Sequence, residues 1–356
     1  MRIFSIILVL SVLSFSSFAQ FGGGDPAKVE LDSAKKIKWA AIPVPTWDQI
    51  TGWGVVGVVM GYYKPNRLDT ISPTSSFGVV GMYSQNKNFF VGGWNQMYLK
   101  EDLWRLTLAG GSGDYNFQFL DRIMDPPTFI KFGTKYSFIY AAATYNVWDR
   151  LYVGGHWVSY AADTEYQIDP PFTGRSKMHA PGLNVTYDSR DDVNFPMSGW
   201  QVNLTSNHYL KKLNEPALSF DNWTIDVNKY ISVRKNKDVV ALRAMTSFST
   251  GDVPFEAQEV IGNTDIPGYT EGRYRGDVKI AAQSEYRLHL YKKWRLVGLL
   301  AAASVTDEDG KFTQLLPAAG AGIRYKFMKD EKSHIGLDFV RGKDDWQLVV
   351  RFGESF

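Results

Sequence analysis

The feature that most constrains this chain is a series of about fifteen segments, each roughly ten residues long, in which apolar and polar residues alternate. Such alternation places every second side chain on one face of a β-strand. No helical period is found beyond residue 20. The segments lie near residues 52–64, 75–84, 88–99, 103–114, 135–147, 150–162, 179–189, 199–210, 218–233, 237–250, 278–289, 294–305, 314–327, 332–341 and 345–356. The pattern predicts an all-β protein, a transmembrane antiparallel β-barrel.

The number of strands is predicted from the need for an even count. A bacterial barrel whose two chain ends lie on the same side of the membrane has an even number of strands. A further short strand near residues 163–169 would bring the total to sixteen, whereas twelve or fourteen strands follow if the weaker segments are loops. Long connections are predicted at 115–134, 163–177 and 251–277.

The first residues have the three parts of a secretory signal peptide. These are a positive charge at Arg2, an apolar stretch over Ile3–Leu13 and a small-residue cleavage site ending at Ala19. The predicted organisation is a signal peptide at 1–19, a short periplasmic tail at 20–41 and the outer-membrane barrel at 42–356. The tail is too short to fold as a domain.

Composition narrows the class of protein. Aromatic residues make up 15% of the chain, with 11 Trp, 19 Tyr and 22 Phe, as suits the aromatic girdles of an outer-membrane barrel. A formal net charge of +2 gives no indication of a nucleic-acid partner. The lack of cysteine excludes disulfides, thiolate metal sites and a cysteine nucleophile. We expect an integral protein of the bacterial outer membrane, with membrane lipid around it and no nucleic-acid partner.

The last segment is the clearest of the predicted strands. Its apolar residues alternate with residues of the other face, and the sequence ends on an aromatic residue. Together with the signal peptide and the aromatic content, this favours a barrel over an ordinary amphipathic strand. The residues of this C-terminal barrel signal are Trp346, Leu348, Val350, Phe352 and Phe356.

The connection from Gly262 to Asp277 is rich in both glycine and charge. Glycine allows tight turns, and closely spaced arginines need carboxylate or carbonyl partners. Irregular backbone is tolerated in a barrel where it lines a polar lumen, so we expect this loop to fold inward as a plug. The predicted lumen-loop residues are Gly268, Tyr269, Glu271, Gly272, Arg273, Tyr274, Arg275, Gly276 and Asp277. Candidate partners for its arginines are Glu285 on the next strand and the loop's own Glu271 and Asp277.

Three segments of the second half of the chain carry a family likeness. The first is a turn motif with the residues Asp188, Arg190, Asp191, Pro196 and Gly199. The second combines Ile266–Tyr269 with Gly272–Gly276, and the third is Ser284–Arg287. In this order they resemble the turn motif, the sixth extracellular loop and the following strand of the Omp85 superfamily, the bacterial surface antigen (D15) barrels of the BamA and TamA type.

The resemblance implies a role in the insertion, assembly or translocation of proteins or lipids at the outer membrane. In this family such work relies on a weakly paired seam between the first and last strands, because an unpaired edge is a template for an incoming strand. Glycines at positions 52, 54, 57 and 61 weaken the first predicted strand here. The rival function is a passive pore or a structural barrel of an envelope complex.

Two departures from the family pattern qualify this expectation. Pro267 stands where the family loop carries an arginine, and Ala301 stands where its aspartate partner on the wall would be. Losing both charges together is what electrostatics tolerates, because either one left alone would be a buried unpaired charge. The tail is also too short for the POTRA domains of assembly factors. We therefore expect an accessory subunit that works with other envelope assembly proteins or periplasmic delivery subunits.

An enzyme is the third and weakest expectation. The five histidines have no metal-ligand spacing, and no Gly-x-Ser-x-Gly motif occurs. Acidic groups at 188–192 and 307–309 could bind divalent cations, but a structural role is favoured for both. We expect no catalytic residues, no metal and no cofactor.

Overall fold

A computed structural model describes most of the chain from residue 37 onward. The described residues are 37–48, 52–121, 128–166, 172–193, 195–254, 257–262, 265–269, 273–307, 309–326, 334–343, 345–352, 354 and 356. The elements in these ranges are all β-strands. Within the same ranges no helix is long and apolar enough to cross a membrane.

Sixteen strands form one antiparallel sheet in which each strand pairs with the next strand of that sheet along the chain. They are β1 Lys38–Asp48, β2 Gly52–Tyr63, β3 Ser75–Ser84, β4 Phe89–Leu99, β5 Trp104–Asp121, β6 Thr128–Trp148, β7 Leu151–Tyr166, β8 Phe172–Asp188, β9 Gly199–Tyr209, β10 Phe220–Val233, β11 Asp238–Gly251, β14 Val278–Tyr291, β15 Trp294–Val305, β16 Leu316–Lys326, β17 His334–Arg341 and β18 Trp346–Phe352. Two further short strands, β12 Glu259–Val260 and β13 Arg275–Gly276, pair with each other in the connection between β11 and β14.

The sheet curves back on itself, so that its two ends, β1 and β18, lie against each other. The predicted antiparallel barrel of sixteen strands is therefore confirmed. No ladder of paired residues joins β1 to β18 within the described parts of these strands. The two ends of the sheet thus form a seam.

The two faces of the sheet differ as a membrane barrel requires. Along β15, Leu296 and Leu300 are exposed, whereas Val297, Leu299 and Ala303 are buried. Exposed aromatic residues mark one rim of the barrel. At this rim the odd-numbered strands of the large sheet begin and the even-numbered strands end. These aromatic residues include Trp104, Trp148, Trp200, Tyr291 and Trp294. An apolar outer face bordered by aromatic residues is the surface that a lipid bilayer surrounds.

The sixteenth strand is not where the sequence analysis put it. Residues 163–166 are the end of β7, and residues 167–169 lie outside the described residues. The additional strand is β1, four residues of which precede the predicted barrel start at 42. Pro43 and Pro45 interrupt its sequence, and proline argues against a strand that is paired on both sides.

Two of the predicted long connections are shorter than expected. β5 and β6 pair from Trp104↔Tyr145 to Asp121↔Thr128, so the predicted connection at 115–134 is mostly a hairpin. β7 and β8 likewise pair as far as Tyr166↔Phe172. Beyond the bilayer a strand meets water on both faces and has no need of alternating apolar residues, which explains why the sequence pattern ended early.

Candidate functional site

The connection between β11 and β14, residues 252–277, is called the inner loop. Its described residues pack against the buried face of the wall. Tyr269 and Ile266 have no exposed surface. With Ile261 and Tyr274 they form one apolar cluster with side chains of four neighbouring strands. The wall residues of this cluster are Ala281, Leu299, Ala303, Val305, Leu316, Ala318 and Val340. These wall side chains lie opposite the lipid-facing positions, so the loop covers the inner surface of β14–β17.

A buried lysine joins the inner loop to the wall. The Nζ atom of Lys279, on β14, lies 2.9 Å from Asp265 Oδ1 and 3.2 Å from Glu259 Oε2, both in the loop. It also donates a hydrogen bond to the carbonyl oxygen of Val260 at 3.1 Å. All three charged side chains are buried. Buried charges are retained where they are paired and hydrogen-bonded, so this group is an ionic anchor of the loop.

The tip of the loop is held by neutral hydrogen bonds that reach the last strand. The backbone N–H of Gly268 donates to Gln347 Oε1 at 2.8 Å, and Gln347 Nε2 donates to the carbonyl oxygen of Tyr269 at 3.0 Å. The Tyr269 hydroxyl donates to the carbonyl oxygen of Pro317 at 2.5 Å and accepts from the N–H of Lys343 at 3.1 Å. The loop tip is thereby fixed to β16, to the β17–β18 turn and to β18.

This docking depends on two glycines that approach closely. Gly268 has a φ of +101°, and a Cβ built on it would lie 2.9 Å from the nitrogen of Gly342. A Cβ on Gly342 would meet the carbonyl oxygen of Gly268 and lie 2.7 Å from Cζ of Tyr269. A left-handed φ and a backbone-to-backbone contact of this kind leave room for glycine alone.

We expect Gly342→Ala to displace the loop tip while the barrel still folds. The added methyl group competes for space with the Gly268 carbonyl and with the ring of Tyr269, which is fully buried. The expected loss is about 1–3 kcal/mol of stability, seen as a lower temperature for loss of the folded gel band and faster cleavage of the loop by protease. Gly298→Ala on β15 is the matched control, since its Cβ would meet no atom within 4 Å. Equal behaviour of both variants would contradict the proposed fit.

Among the described residues, Arg273 has a partner that the sequence analysis did not name. Arg273 pairs with Asp345 at 3.2 Å, and its side chain is 34% exposed. Glu285 is fully buried and accepts a hydrogen bond from Arg287, on the same strand, at 2.9 Å. Arg275 and Gly276 form β13, and Asp277 accepts from the Gln258 side chain at 3.2 Å. Two predicted loop residues, Glu271 and Gly272, lie outside the described residues.

Arg287 is the centre of a second buried charge cluster, near the rim opposite the inner loop. Its guanidinium pairs with Glu285 and also lies 3.4 Å from Glu354. It donates a hydrogen bond to the carbonyl oxygen of Phe356 at 3.0 Å. The Phe356 ring is buried with Phe195 and Tyr230. Glu354 and Phe356, which follow β18, therefore lie in the barrel interior, where the carboxylate and the ring contact these partners.

The turn motif gathers charges at the same rim. Asp188 accepts hydrogen bonds from Arg190 at 2.8 and 3.0 Å and from Arg105, on β5, at 3.0 Å. Asp191 accepts the backbone N–H groups of Met197 and Ser198, which shapes the turn. Pro196 is buried, and Gly199 adopts a φ of +109° against the backbone of Ser189. The motif connects three wall strands, β5, β8 and β9.

The predicted C-terminal signal splits into two groups. Trp346 and Leu348 are exposed on the lipid-facing side of β18, 37% and 40% respectively. Phe356 is buried inside, as described above. The side chains of Val350 and Phe352 lie outside the described residues, although their backbone belongs to β18.

One histidine has the spacing of a catalytic triad. Ser206 Oγ lies 3.0 Å from His208 Nε2, and His208 Nδ1 lies 2.9 Å from Asp221 Oδ1. A nucleophile must be reachable by its substrate, and Ser206 is 0% exposed. We therefore assign the arrangement to packing. In the described residues no group of three or more His, Cys, Asp or Glu side chains is placed to hold a metal ion.

Sequence reasoning missed the residues that hold the loop, namely Lys279, Glu259, Asp265 and Gln347. The resemblance implied an arginine on the loop and an aspartate on the wall, at the positions of Pro267 and Ala301. Here the cation is on the wall and the carboxylates are on the loop. Lys279 itself could have been noticed in the sequence. It is separated from Gln283 and Glu285 of β14 by an even number of positions, so its side chain lies on the same inner face of the strand as theirs.

Comparisons with known proteins agree with this architecture. The Omp85 superfamily domain matches residues 131–327. Among solved structures, BamA from Haemophilus ducreyi lacking POTRA domains 1-3 is similar, with 11% identity, a TM-score of 0.61 and coverage of 97% of this chain and 78% of that chain. CdiB from Acinetobacter baumannii has 10% identity, a TM-score of 0.57 and coverage of 94% and 71%. CdiB from Escherichia coli has 12% identity, a TM-score of 0.62 and coverage of 89% and 62%. No curated protein matches the chain.

Proposed function

The chain belongs to the Omp85 superfamily, and from this premise we propose that it inserts, assembles or translocates polypeptides at the outer membrane. It is an integral protein of that membrane. The observation that carries the proposal is the contact between the inner loop and the seam. Gln347 is a residue of β18, one of the two seam strands, and it holds the backbone of Gly268 and Tyr269.

This contact gives a physical link between the lumen and the seam. β18 pairs with β17 on one side only within the described residues. A change in the position of the loop tip therefore acts on a strand that has few other constraints. A barrel that only conducts solutes has no need for a loop bonded to a strand of the seam. The link supports a role in which the seam opens and closes to handle another chain.

We also propose that the protein works as a subunit together with an envelope partner that delivers clients. The support is the membership of the Omp85 superfamily, from which the sequence analysis expected work together with other envelope assembly proteins. The barrel itself supplies the seam and the inner loop. The proposed work is mechanical, because it uses the seam and the inner loop to handle a client chain.

Depletion of the protein in its own cells tests the function with its natural partners present. The folded fraction of other outer-membrane proteins is measured by heat-dependent gel mobility, alongside uptake of a small solute. We expect a several-fold fall in folded outer-membrane proteins or in a secreted client, with solute uptake unchanged. A changed solute uptake with an unaltered protein profile would instead support the passive-pore alternative.

Gln347→Leu tests the link between loop and seam. Leucine keeps the size of the side chain but removes one acceptor and one donor, leaving the Gly268 N–H and the Tyr269 carbonyl without this partner. Each unmade buried hydrogen bond costs about 1–3 kcal/mol. We expect the loop to become sensitive to protease and the variant to restore function poorly in depleted cells. Leu348→Ala, which faces lipid on the same strand, is the control and should leave the loop protected.

A further inference from the structure

Positive charge is concentrated on one part of the rim that carries the exposed aromatic residues. This part comprises the ends of β10, β11, β14, β15 and β16. Asp238 is the one acidic residue in 229–238, 289–295 and 325–326, and it is fully buried. Arg295 packs over the Phe195 ring on the inner side, 4.2 Å from its centre. The seven other cations of these ranges, which we call the basic arc, are Lys229, Arg234, Lys235, Lys237, Lys292, Lys293 and Lys326.

The turns of the basic arc are hydrogen-bonded to each other. Asp238, which follows the β10–β11 turn, accepts the backbone N–H of His289 on β14 at 2.9 Å. The carbonyl oxygen of Lys237 accepts a hydrogen bond from Arg295 on β15 at 3.3 Å. Asp238 also pairs with Arg234. Since Asp238 is the one acid of these ranges, the lysines of the arc form a continuous surface of uncompensated positive charge.

Lysines of the arc lie beside aromatic rings of the lipid-facing surface. Lys229 Nζ lies 4.5 Å from the centre of the Trp200 ring, and Lys292 Nζ lies 4.9 Å from that of Tyr291. Both rings are on the outer face of the barrel, and Tyr291 is 61% exposed. A lysine at a membrane interface lays its apolar stem along the hydrocarbon and keeps its ammonium group in water. The charge of the arc is therefore at the depth of the lipid headgroups.

The remainder of the same rim has no comparable excess of positive charge. The turns 64–74, 100–103, 149–150 and 189–198 together contain five cations and six acids. The turn 327–333, which lies outside the described residues, has two of each. Charges that serve solubility alone are interspersed with both signs. The concentration of cations on one arc therefore indicates a ligand of the opposite charge.

We propose that the basic arc binds the phosphate headgroups of anionic phospholipids in the periplasmic leaflet of the outer membrane. β1 begins at this rim, and the predicted periplasmic tail precedes β1, so the rim meets that leaflet. Clusters of lysine and arginine at a membrane surface attract anionic lipid through their combined charge. Aromatic rings at the same depth contact the lipid at the boundary between headgroup and acyl chain. The bound lipid supports the strands on which the inner loop is docked.

A soluble acidic protein is the other ligand that suits a basic surface. The rings beside the lysines favour the lipid, because they lie on the face that the bilayer surrounds, where a soluble protein cannot follow. The inference goes beyond the proposed handling of polypeptides and does not depend on it, since lipid binding is measured without any client chain.

Native mass spectrometry of the full-length protein purified from the outer membrane measures the lipid preference. The protein is released from detergent micelles that contain equal amounts of phosphatidylglycerol, which is anionic, and phosphatidylcholine, which is zwitterionic. We expect bound phosphatidylglycerol to exceed bound phosphatidylcholine about fivefold or more. A ratio near one would mean that the arc is only a solvated charged surface, and would overturn the proposal.

Two triple variants separate the arc from the overall charge of the protein. The arc variant replaces three exposed lysines: Lys235→Gln, Lys237→Gln and Lys292→Gln. The control variant removes the same charge from exposed positions elsewhere on the rim: Arg67→Gln, Lys100→Gln and Arg150→Gln. The lipid ratio should fall about threefold or more in the arc variant and stay unchanged in the control. An unchanged ratio in the arc variant, or an equal fall in both, would refute the assignment to the arc.

A measurement on the unmodified protein decides the matter if the arc variant fails to fold. A ligand that binds only the folded state stabilises it. The folded gel band should therefore survive to a higher temperature in vesicles with about 30% phosphatidylglycerol than in phosphatidylcholine alone. The difference should disappear in about 1 M NaCl, which screens the charges. Equal temperatures in the two vesicles at low salt would contradict lipid binding.

The source of the phosphate is tested with the headgroup alone. Glycerophosphoglycerol, which has the phosphodiester but no acyl chains, is added at the concentration of the lipid. It should leave the bound phosphatidylglycerol in place, because it cannot use the lipid-facing rings. Displacement of the lipid would assign the arc to soluble phosphate compounds and overturn the choice of a membrane lipid. Client levels after depletion, by contrast, report on the proposed function independently.

Discussion

Lys279→Met is expected to release the inner loop and to destabilise the barrel strongly. The substitution leaves Glu259 and Asp265 buried without the ammonium group that lies 3.2 and 2.9 Å from them. Removing one partner from a buried ion pair costs about 3–5 kcal/mol, because the remaining charge has neither water nor a counter-ion. The temperature at which the folded gel band disappears should fall, and protease should cleave within 252–277.

Two comparisons separate this effect from a general loss of packing. Arg273→Ala removes the ion pair between Arg273 and Asp345, in which the arginine side chain is about one-third exposed and which is worth about 0–1 kcal/mol. Adding Glu259→Gln and Asp265→Asn to Lys279→Met removes the orphaned charges and should recover much of the lost stability. If the triple variant is no more stable than Lys279→Met, the anchor is not electrostatic.

Asp188→Ala is expected to have the second large effect, at the opposite rim. Asp188 is the buried acceptor shared by Arg190 and Arg105. Arg105 keeps Asp102, at 2.7 Å, whereas the side-chain hydrogen bond that Arg190 retains in the described residues goes to the neutral carbonyl oxygen of Val193. A buried guanidinium that loses its carboxylate costs about 3–5 kcal/mol. Urea unfolding of the protein in vesicles, followed by tryptophan fluorescence, measures the loss.

The matched control lies in the same motif. Asp191→Ala removes two hydrogen bonds to the backbone of the turn, but the residue is exposed and water can replace them. We expect a loss of about 1 kcal/mol. A loss as large as that of Asp188→Ala would mean that the shape of the turn matters more than the buried charge.

The barrel could be predicted from sequence because its signal is local. Alternation in β15 or β18 depends only on which face meets lipid, and neighbouring residues carry that information. β1 was missed because its segment contains Pro43 and Pro45. Proline argues against a strand whose two edges are both hydrogen-bonded to neighbours. The two prolines are compatible with β1 because it is the end strand of the sheet. That position depends on the topology of the whole sheet and cannot be predicted from neighbouring residues.

The partners that hold the inner loop could not be predicted for a different reason. The composition of residues 262–277 indicated a loop with polar surroundings. The pairing of its charged side chains depends on strand register and on residues far along the chain. Arg273 and Arg275 drew attention as charges of the loop, yet the buried cation is Lys279 on the wall. Gln347 is 79 residues from Gly268 and has no feature in the sequence that marks it as a partner.

The distance between Tyr269 and Gln347 along the chain has a consequence for the order of assembly. The partners of the loop tip, on β16, β18 and the turn before β18, are all synthesised after the loop. Contacts between residues so far apart form late, because the chain between them must first be ordered. The Gly268 N–H and the Tyr269 carbonyl obtain their partner only when β18 has taken its place. Docking of the loop tip therefore follows the placement of β18, and a protected tip identifies molecules in which the last strand has arrived.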